Sequence, residues 1–131
     1  KTANFQKPSK VEFDLIKAPD IAQTIAVTSF GMGIACDLTG LHTLKIKETD
    51  RLLALQQELS KLGAEIRVTE NTLHLESSSK IHKDISIATY QDHRMAMAFA
   101  PLLLKTSLFV EEQEVVSKSY PTFWEDFSNF Q

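Results

Sequence analysis

"KIKETDRLLALQQELSKLGAEIRVTENTLHLES", residues 45–77, reads as a helix followed by a hairpin. Leu52, Leu55, Leu59 and Leu62 recur at the three- and four-residue spacing of a single helix face. That spacing predicts a helix over residues 49–62. Gly63 follows it, a residue suited to a left-handed C-cap. Beyond Gly63, Ile66 and Val68 alternate with polar residues, and so do Leu73 and Leu75. With Glu70 and Asn71 between them as turn residues, the two runs predict a β-hairpin. The helix start is unusual. Lys47 and Arg51 stand where the helix dipole is already positive, so cations there are mildly unfavourable. Glu48 and Asp50 offset part of that.

Working outward, the same kinds of element alternate. "KVEFDLI" predicts a strand with Val11, Phe13 and Leu15 on one face. "PDIAQTIAVTSFGMGIA" predicts a helix opened by Pro19, with Ala22, Ala26, Ser29 and Gly33 forming a small-residue face that permits close packing. "CDLTGLHTLKIK" predicts one or two short strands around Gly40. After the polar stretch "SSSKIHK", "DISIATY" predicts a strand and "DHRMAMAFAPLLL" a buried helix, kinked by Pro101. "SLFVEE" and "EVVSKSY" read as extended. "PTFWEDFSNF" reads as a final helix with Pro121 in its first turn and Phe123, Phe127 and Phe130 on one stripe. The order is strand, helix, strand, helix, strand, strand. It then restarts and stops at the second helix, as an array of repeated units would if the last strand pair came from elsewhere in a longer chain.

Bulk composition narrows the function classes. The 131 residues suffice for one modest core. Apolar residues make up 43% and charged residues 24%, ordinary for a globular protein. A net charge of −3 argues against chain-wide attraction to nucleic acid, so any anion site must be local. Cys36 is the single cysteine, which excludes an intrachain disulfide and fits a reducing, cytoplasmic setting. No apolar run approaches the ~20 residues of a membrane span. The first residues lack a signal-peptide pattern.

Three helix starts share an acid: Asp20 in "PDIAQTIA", Asp50 in "ETDRLLAL" and Asp92 in "QDHRMAMA". N-capping explains Asp50 and Asp92, because a carboxylate accepts bonds from orphan backbone N–H groups. It does not explain the cations Lys47, Arg51 and Arg94 beside them, nor Lys118 just before the last helix. If these ends converge, their N–H groups and cations form a pocket for a small, multiply charged anion. Glu48 serves either charge compensation or proton transfer, and Asp20 faces the same choice. His93, beside Arg94, is open between structure and site. His42, His74 and His82 have no ligand spacing, so no metal site is expected. Met95, Met97, Trp124 and the terminal phenylalanines read as packing residues.

At "PDIAQT", "KETDRL", "DHRMAMAFA" and "SKSYPTFW" the sequence resembles the EPSP synthase (3-phosphoshikimate 1-carboxyvinyltransferase) family, in the family's motif order and along essentially the whole chain. The resemblance is to the C-terminal third of that enzyme. It implies an α/β fold, the inside-out barrel of enolpyruvyl transferases built from β-α-β-α-β-β units. One unit would be complete, about 1–79, and one incomplete, 80–131, its last strands coming from the extreme N-terminus of the full chain. The family transfers the enolpyruvyl group of phosphoenolpyruvate to the 5-hydroxyl of shikimate 3-phosphate and releases phosphate, without metal or organic cofactor. Matched motif by motif, Asp20 would be the base and a shikimate 3-phosphate ligand. Lys47 would contact the same substrate, and Glu48 would transfer protons. Arg51, Arg94 and Lys118 would clamp phosphoenolpyruvate, with His93 beside the clamp. Thr43 stands where the family often has a substrate-binding asparagine. The expected partners are these two small molecules and the rest of the same enzyme, acting as a monomer; the piece alone would be inactive. The rivals are the related transferase acting on UDP-N-acetylglucosamine and a non-catalytic anion-binding module. The first would not be expected to carry "KETDRL" and "DHRMAM" together; retention of Asp20, Glu48 and the four cations argues against the second.

Overall fold

The computed structural model describes residues 7–47 and 49–129. Among the described residues six strands and four α-helices follow in the order β1 (Lys10–Asp14), α1 (Ala22–Met32), β2 (Ala35–Thr39), α2 (Arg51–Lys61), β3 (Ile66–Val68), β4 (Leu73–Leu75), β5 (Ile85–Ile87), α3 (His93–Phe99), β6 (Leu108–Val110) and α4 (Phe123–Ser128). The first sheet runs β1-β2-β4-β3, with β1 and β2 parallel and the β3/β4 hairpin antiparallel. A second, two-stranded sheet pairs β5 and β6 in parallel. In each sheet a helix crosses between the two parallel strands, α1 in the first and α3 in the second. The expected element order is therefore present.

Both sheets feed one core. Phe30 of α1, Leu38 of β2, Leu52, Leu55 and Leu59 of α2 and Leu73 of β4 are buried together with Ile87 of β5 and Phe99 of α3. The polar stretch 77–83 thus joins two sheets that share an interior. α1 lays Ala22, Ala26 and Ser29 into that interior, as the small-residue face requires. It packs closely on α3, whose Met95, Ala96, Ala98 and Phe99 are buried. Cys36 lies in β2 at zero exposure, and burial pushes its thiol up to about 11, which leaves it an inert packing group.

Several boundaries differ from the sequence reading. The first helix opens as a 3-10 turn (Pro19–Ile21) and ends at Gly33, whose φ of 73° is left-handed, so Ile34 and Ala35 leave it. After Gly40 the chain forms a 3-10 turn (His42–Ile46), not a second strand. Gly40 itself (φ 76°) comes so close to Ile16 that a Cβ would lie 2.6 Å from its backbone nitrogen, which fixes a sharp turn there. Strand β5 covers only three residues. At Pro101 the third helix tightens from α into 3-10 (Ala100–Leu104), because the ring removes a donor. "EVVSKSY" is not extended either. Glu112 adopts φ 49°, and Gln113–Val116 curl into a 3-10 turn whose Val116 packs on Ala96 and Val110. Pro121 precedes the last helix, whose cap is Thr122. Phe123 and Phe127 stack there with centroids 6.0 Å apart, while Phe130 lies outside the described residues. Phe13 is 47% exposed, on a strand that among the described residues pairs only with β2.

On β2, β4 and β1, the Asp37 carboxylate bonds Lys10 Nζ at 2.7 Å and His74 Nδ1 at 2.9 Å. Lys10 first, and His74 next, hold it below the usual carboxylate range. A depressed carboxylate adds stability that is present above its unfolded pKa and is lost as pH falls through the folded one. Asp37→Asn is therefore expected to flatten the acid limb of stability below about pH 4. Urea melts across acid to neutral pH check this; an unchanged acid limb would contradict it.

Candidate active site

Helix α2 starts where the sequence places its charges. Asp50 caps it, accepting the Leu53 N–H at 3.1 Å, and also receives Lys45 Nζ at 2.9 Å. The next residue, Arg51, points inward and is only 2% exposed. Its guanidinium forks onto Asp92, with Nε to Oδ2 at 2.7 Å and Nη2 to Oδ1 at 3.1 Å. Asp92 is fully buried at the start of α3, where it also accepts the Arg94 N–H at 3.0 Å. One carboxylate thus caps α3 and ties it to α2. Such a bidentate, charge-assisted pair is strong and directional, and in a dry setting each partner depends on the other.

Above this pair sits Asp20, presented by the 3-10 turn that opens the first helix. Its side chain is 40% exposed. A single oxygen, Oδ1, faces Arg51 Nη1 at 3.3 Å and Lys47 Nζ at 3.5 Å. Arg94 Nη1 donates to the Asp20 backbone carbonyl at 3.4 Å. Among the described residues the linked set holds three cations, Lys47, Arg51 and Arg94, and two carboxylates, Asp20 and Asp92. Lys47 and Asp20 form its solvent-facing rim, and Arg51 with Asp92 its buried floor.

Four of the sequence candidates are therefore brought together: Asp20, Lys47, Arg51 and Arg94. His93 is the half-buried first residue of α3, next to that set. Thr43 lies in the 3-10 turn that packs on the Asp20 turn, and its Oγ1 is buried with no hydrogen-bond partner among the described residues. Lys118 is exposed and shares a shallow concavity with Gln91, Glu112, Glu114 and Val115. It borders the α3 loop through Gln91 without a hydrogen bond or ion pair to the cluster among the described residues. Glu48 lies outside the described residues. N-capping, read from sequence for Asp50 and Asp92, is present at both. The second duty of Asp92, as the buried counter-ion of Arg51, was missed; the only sequence hint was an unexplained cation at each of two acid-led helix starts.

What the arrangement can do follows from its charges. Lys47 on the rim, with the half-buried Arg94 beside it over a fixed floor, offers an anion direct electrostatic stabilisation. The half-exposed Asp20 carboxylate, held between two cations, is within reach of a substrate hydroxyl from the solvent side. No group of three or more His, Cys, Asp or Glu among the described residues could hold a metal ion. No described helix is long and apolar enough to cross a membrane.

The chain is similar to known proteins along most of its length. Residues 2–127 match the family model for EPSP synthase (3-phosphoshikimate 1-carboxyvinyltransferase). A 3-phosphoshikimate 1-carboxyvinyltransferase of Bacteroides fragilis is 40% identical over 120 residues, covering 89% of this chain and 29% of that protein. One from Clostridium kluyveri is 36% identical over 126 residues, covering 95% of this chain and 29% of that protein. The solved EPSP synthase of Acinetobacter baumannii superposes with a TM-score of 0.76 at 28% identity, over 86% of this chain and 27% of that one. The chain thus spans under a third of the length of these relatives. It carries the family's motifs on the family's fold, and it belongs to the EPSP synthase family.

Proposed function

We propose that this chain is part of an enzyme that transfers the enolpyruvyl group of phosphoenolpyruvate to the 5-hydroxyl of shikimate 3-phosphate, releasing phosphate. The observation that carries the proposal is the convergence of Asp20, Lys47, Arg51 and Arg94, from three separate motifs, into one charged cluster. Both substrates are anions, and the reaction adds and then eliminates across a carbon–carbon double bond. It therefore needs fixed positive charge and groups that take and return protons.

In this reading Asp20 binds shikimate 3-phosphate and takes the proton of its hydroxyl. Lys47 reaches the same substrate, and Glu48 moves the proton to and from the methylene carbon. Arg94 and Lys118 hold phosphoenolpyruvate, with His93 alongside. Arg51 contributes its charge from the floor, where Asp92 already fixes it. Thr43, at the position of the family's substrate-binding asparagine, is a candidate contact that would need its buried hydroxyl to turn outward when substrate binds. No cofactor takes part.

Residues 1–79 and 80–131 form two repeat units of one domain, the second completed by strands from the remainder of the enzyme. The matching strand–helix–strand order in the two sheets supports that division. Phe13, Ile21 and Met32, exposed along β1 and the first helix, suit a face covered by the remainder. The complete protein acts as a cytoplasmic monomer. The cleft needs that remainder to exclude water from the charges.

The test is product formation by the protein at the full length of its relatives. With both substrates it should release phosphate and form the enolpyruvyl ether, whereas residues 1–131 alone should do neither. Release that requires UDP-N-acetylglucosamine instead of shikimate 3-phosphate would overturn the substrate assignment.

A further inference from the structure

The loop that carries Asp92, His93 and Arg94 into the cluster has an uncommon backbone. Tyr90 and Gln91 both adopt left-handed angles, φ 59° and 56°. A bulky residue such as tyrosine is rarely found there, and such conformations persist only where surroundings enforce them. The enforcing groups lie on α2, outside the charged cluster. Glu58 is 1% exposed. Its Oε1 accepts the Ala88 N–H at 3.0 Å and pairs with Lys61 Nζ at 2.6 Å. Its Oε2 accepts the Tyr90 hydroxyl at 2.6 Å. The same hydroxyl contacts Gln57 Oε1 at 2.7 Å, and Lys61 Nζ reaches the Ser86 carbonyl at 3.2 Å. Burial, with the Glu58 carboxylate second, pushes the Tyr90 hydroxyl well above its usual pKa, so it remains a donor at neutral pH.

These bonds define a second connection between α2 and α3. At one end of α2, Arg51 grips Asp92; two turns later, Glu58 grips the backbone just before it. Between the two grips lie Thr89, whose Oγ1 bonds the Glu111 carbonyl at 3.1 Å, and the Asp92 N–H bond to the Thr89 carbonyl at 2.9 Å. The loop has no slack at the point where it sets the direction of Arg94.

We propose that Glu58, acting through the Tyr90 hydroxyl and the Ala88 amide, is a positioning residue that fixes the left-handed 90–91 turn and thereby aims Arg94 at the bound anion. The kinetic half of this inference rests on the enolpyruvyl-transfer reading above. Glu58 touches no substrate. It acts on the anion held by Arg94, and not on the one held by Asp20 and Lys47, which come from other elements.

The experiment uses full-length protein with Tyr90→Phe, Glu58→Ala and Glu58→Gln. Tyr90→Phe removes one oxygen and keeps the ring in the core. Amide exchange over residues 89–95 should quicken about tenfold in Tyr90→Phe and more in Glu58→Ala, while exchange in β2 and β4 stays as in wild type. The KM for phosphoenolpyruvate should rise about fivefold to tenfold, with kcat and the KM for shikimate 3-phosphate within about twofold. Glu58→Gln, which still offers an acceptor to Ala88 and a polar partner to Tyr90, should recover most of both effects. Unchanged exchange in the loop overturns the proposal. So does a fall in kcat alone at unchanged KM, the mark of a smaller folded fraction. A wild type without turnover would sink the reaction proposed above, and the exchange result would still decide whether Glu58 fixes the turn.

Discussion

Asp92→Ala is expected to destabilise the protein by about 3–5 kcal/mol, the largest stability effect we predict for a single side chain in the described structure. Removing the carboxylate leaves the Arg51 guanidinium in a site with 2% exposure and without its bidentate partner. It also removes the cap of α3, itself worth about 1 kcal/mol. Arg51→Ala should be damaging for the mirror-image reason. The double variant should lose clearly less than the two single losses added, because neither charge is then stranded. Urea melts of the four proteins measure this coupling. Additive losses, or a cost below about 1 kcal/mol for Asp92→Ala, would show that the pair does not tie α2 to α3.

Loss of Asp20 or Glu48 should instead act on the reaction. In the full-length protein, Asp20→Asn and Glu48→Gln are each expected to lower kcat by about 10²- to 10⁴-fold, the usual range for a proton-transferring group. The two should differ in binding. Glu48→Gln should leave the KM for shikimate 3-phosphate within a few-fold. Asp20→Asn should raise it as well, because Asp20 also organises Lys47 and Arg51 through one oxygen. Steady-state kinetics with each substrate varied in turn resolve these patterns. A near-normal kcat in either variant would remove that residue from proton transfer.

The elements of the fold and the bonds of the site differ in how far the sequence alone reveals them. Local patterns announced α2 and the hairpin: the Leu52–Leu55–Leu59 face, Gly63, and the alternation from Ile66 to Leu75 are each decided within a few residues. The 3-10 turns were hidden for the same reason. "LHTLKI" alternates only at its end, from Leu44 to Ile46, and the sharp turn at Gly40, set by its close approach to Ile16, leads it into a 3-10 curl. "EVV" carries β-branched residues that favour strands, but the left-handed Glu112 turns them onto α3. For the site, the motifs named Asp20, Lys47, Arg51 and Arg94, and the fold gathers them. What no local pattern carries is a bond between residues 41 apart, as for Arg51 and Asp92, or 32 apart, as for Glu58 and Tyr90. Those pairings exist only once α2 lies against the loop before α3.

The basic start of α2 takes on a different meaning as a result. Arg51 is not a cation waiting at the surface for a substrate; much of its charge is already answered by Asp92 and Asp20. Lys47 lies on the rim, where the proposed reaction has it meet an incoming anion, and Arg94 lies beside the Asp20 carbonyl. The motif therefore divides into a buried tether and an exposed contact.

Whether the charged cluster holds both substrates is decided by a crystal structure of the full-length protein with shikimate 3-phosphate and phosphoenolpyruvate bound. Density for shikimate 3-phosphate is expected against Asp20 and Lys47, and for phosphoenolpyruvate against Arg94, with the Arg51–Asp92 fork intact beneath them. Ligands bound away from this cluster, or an Arg51 that abandons Asp92 to grip a substrate, would contradict this.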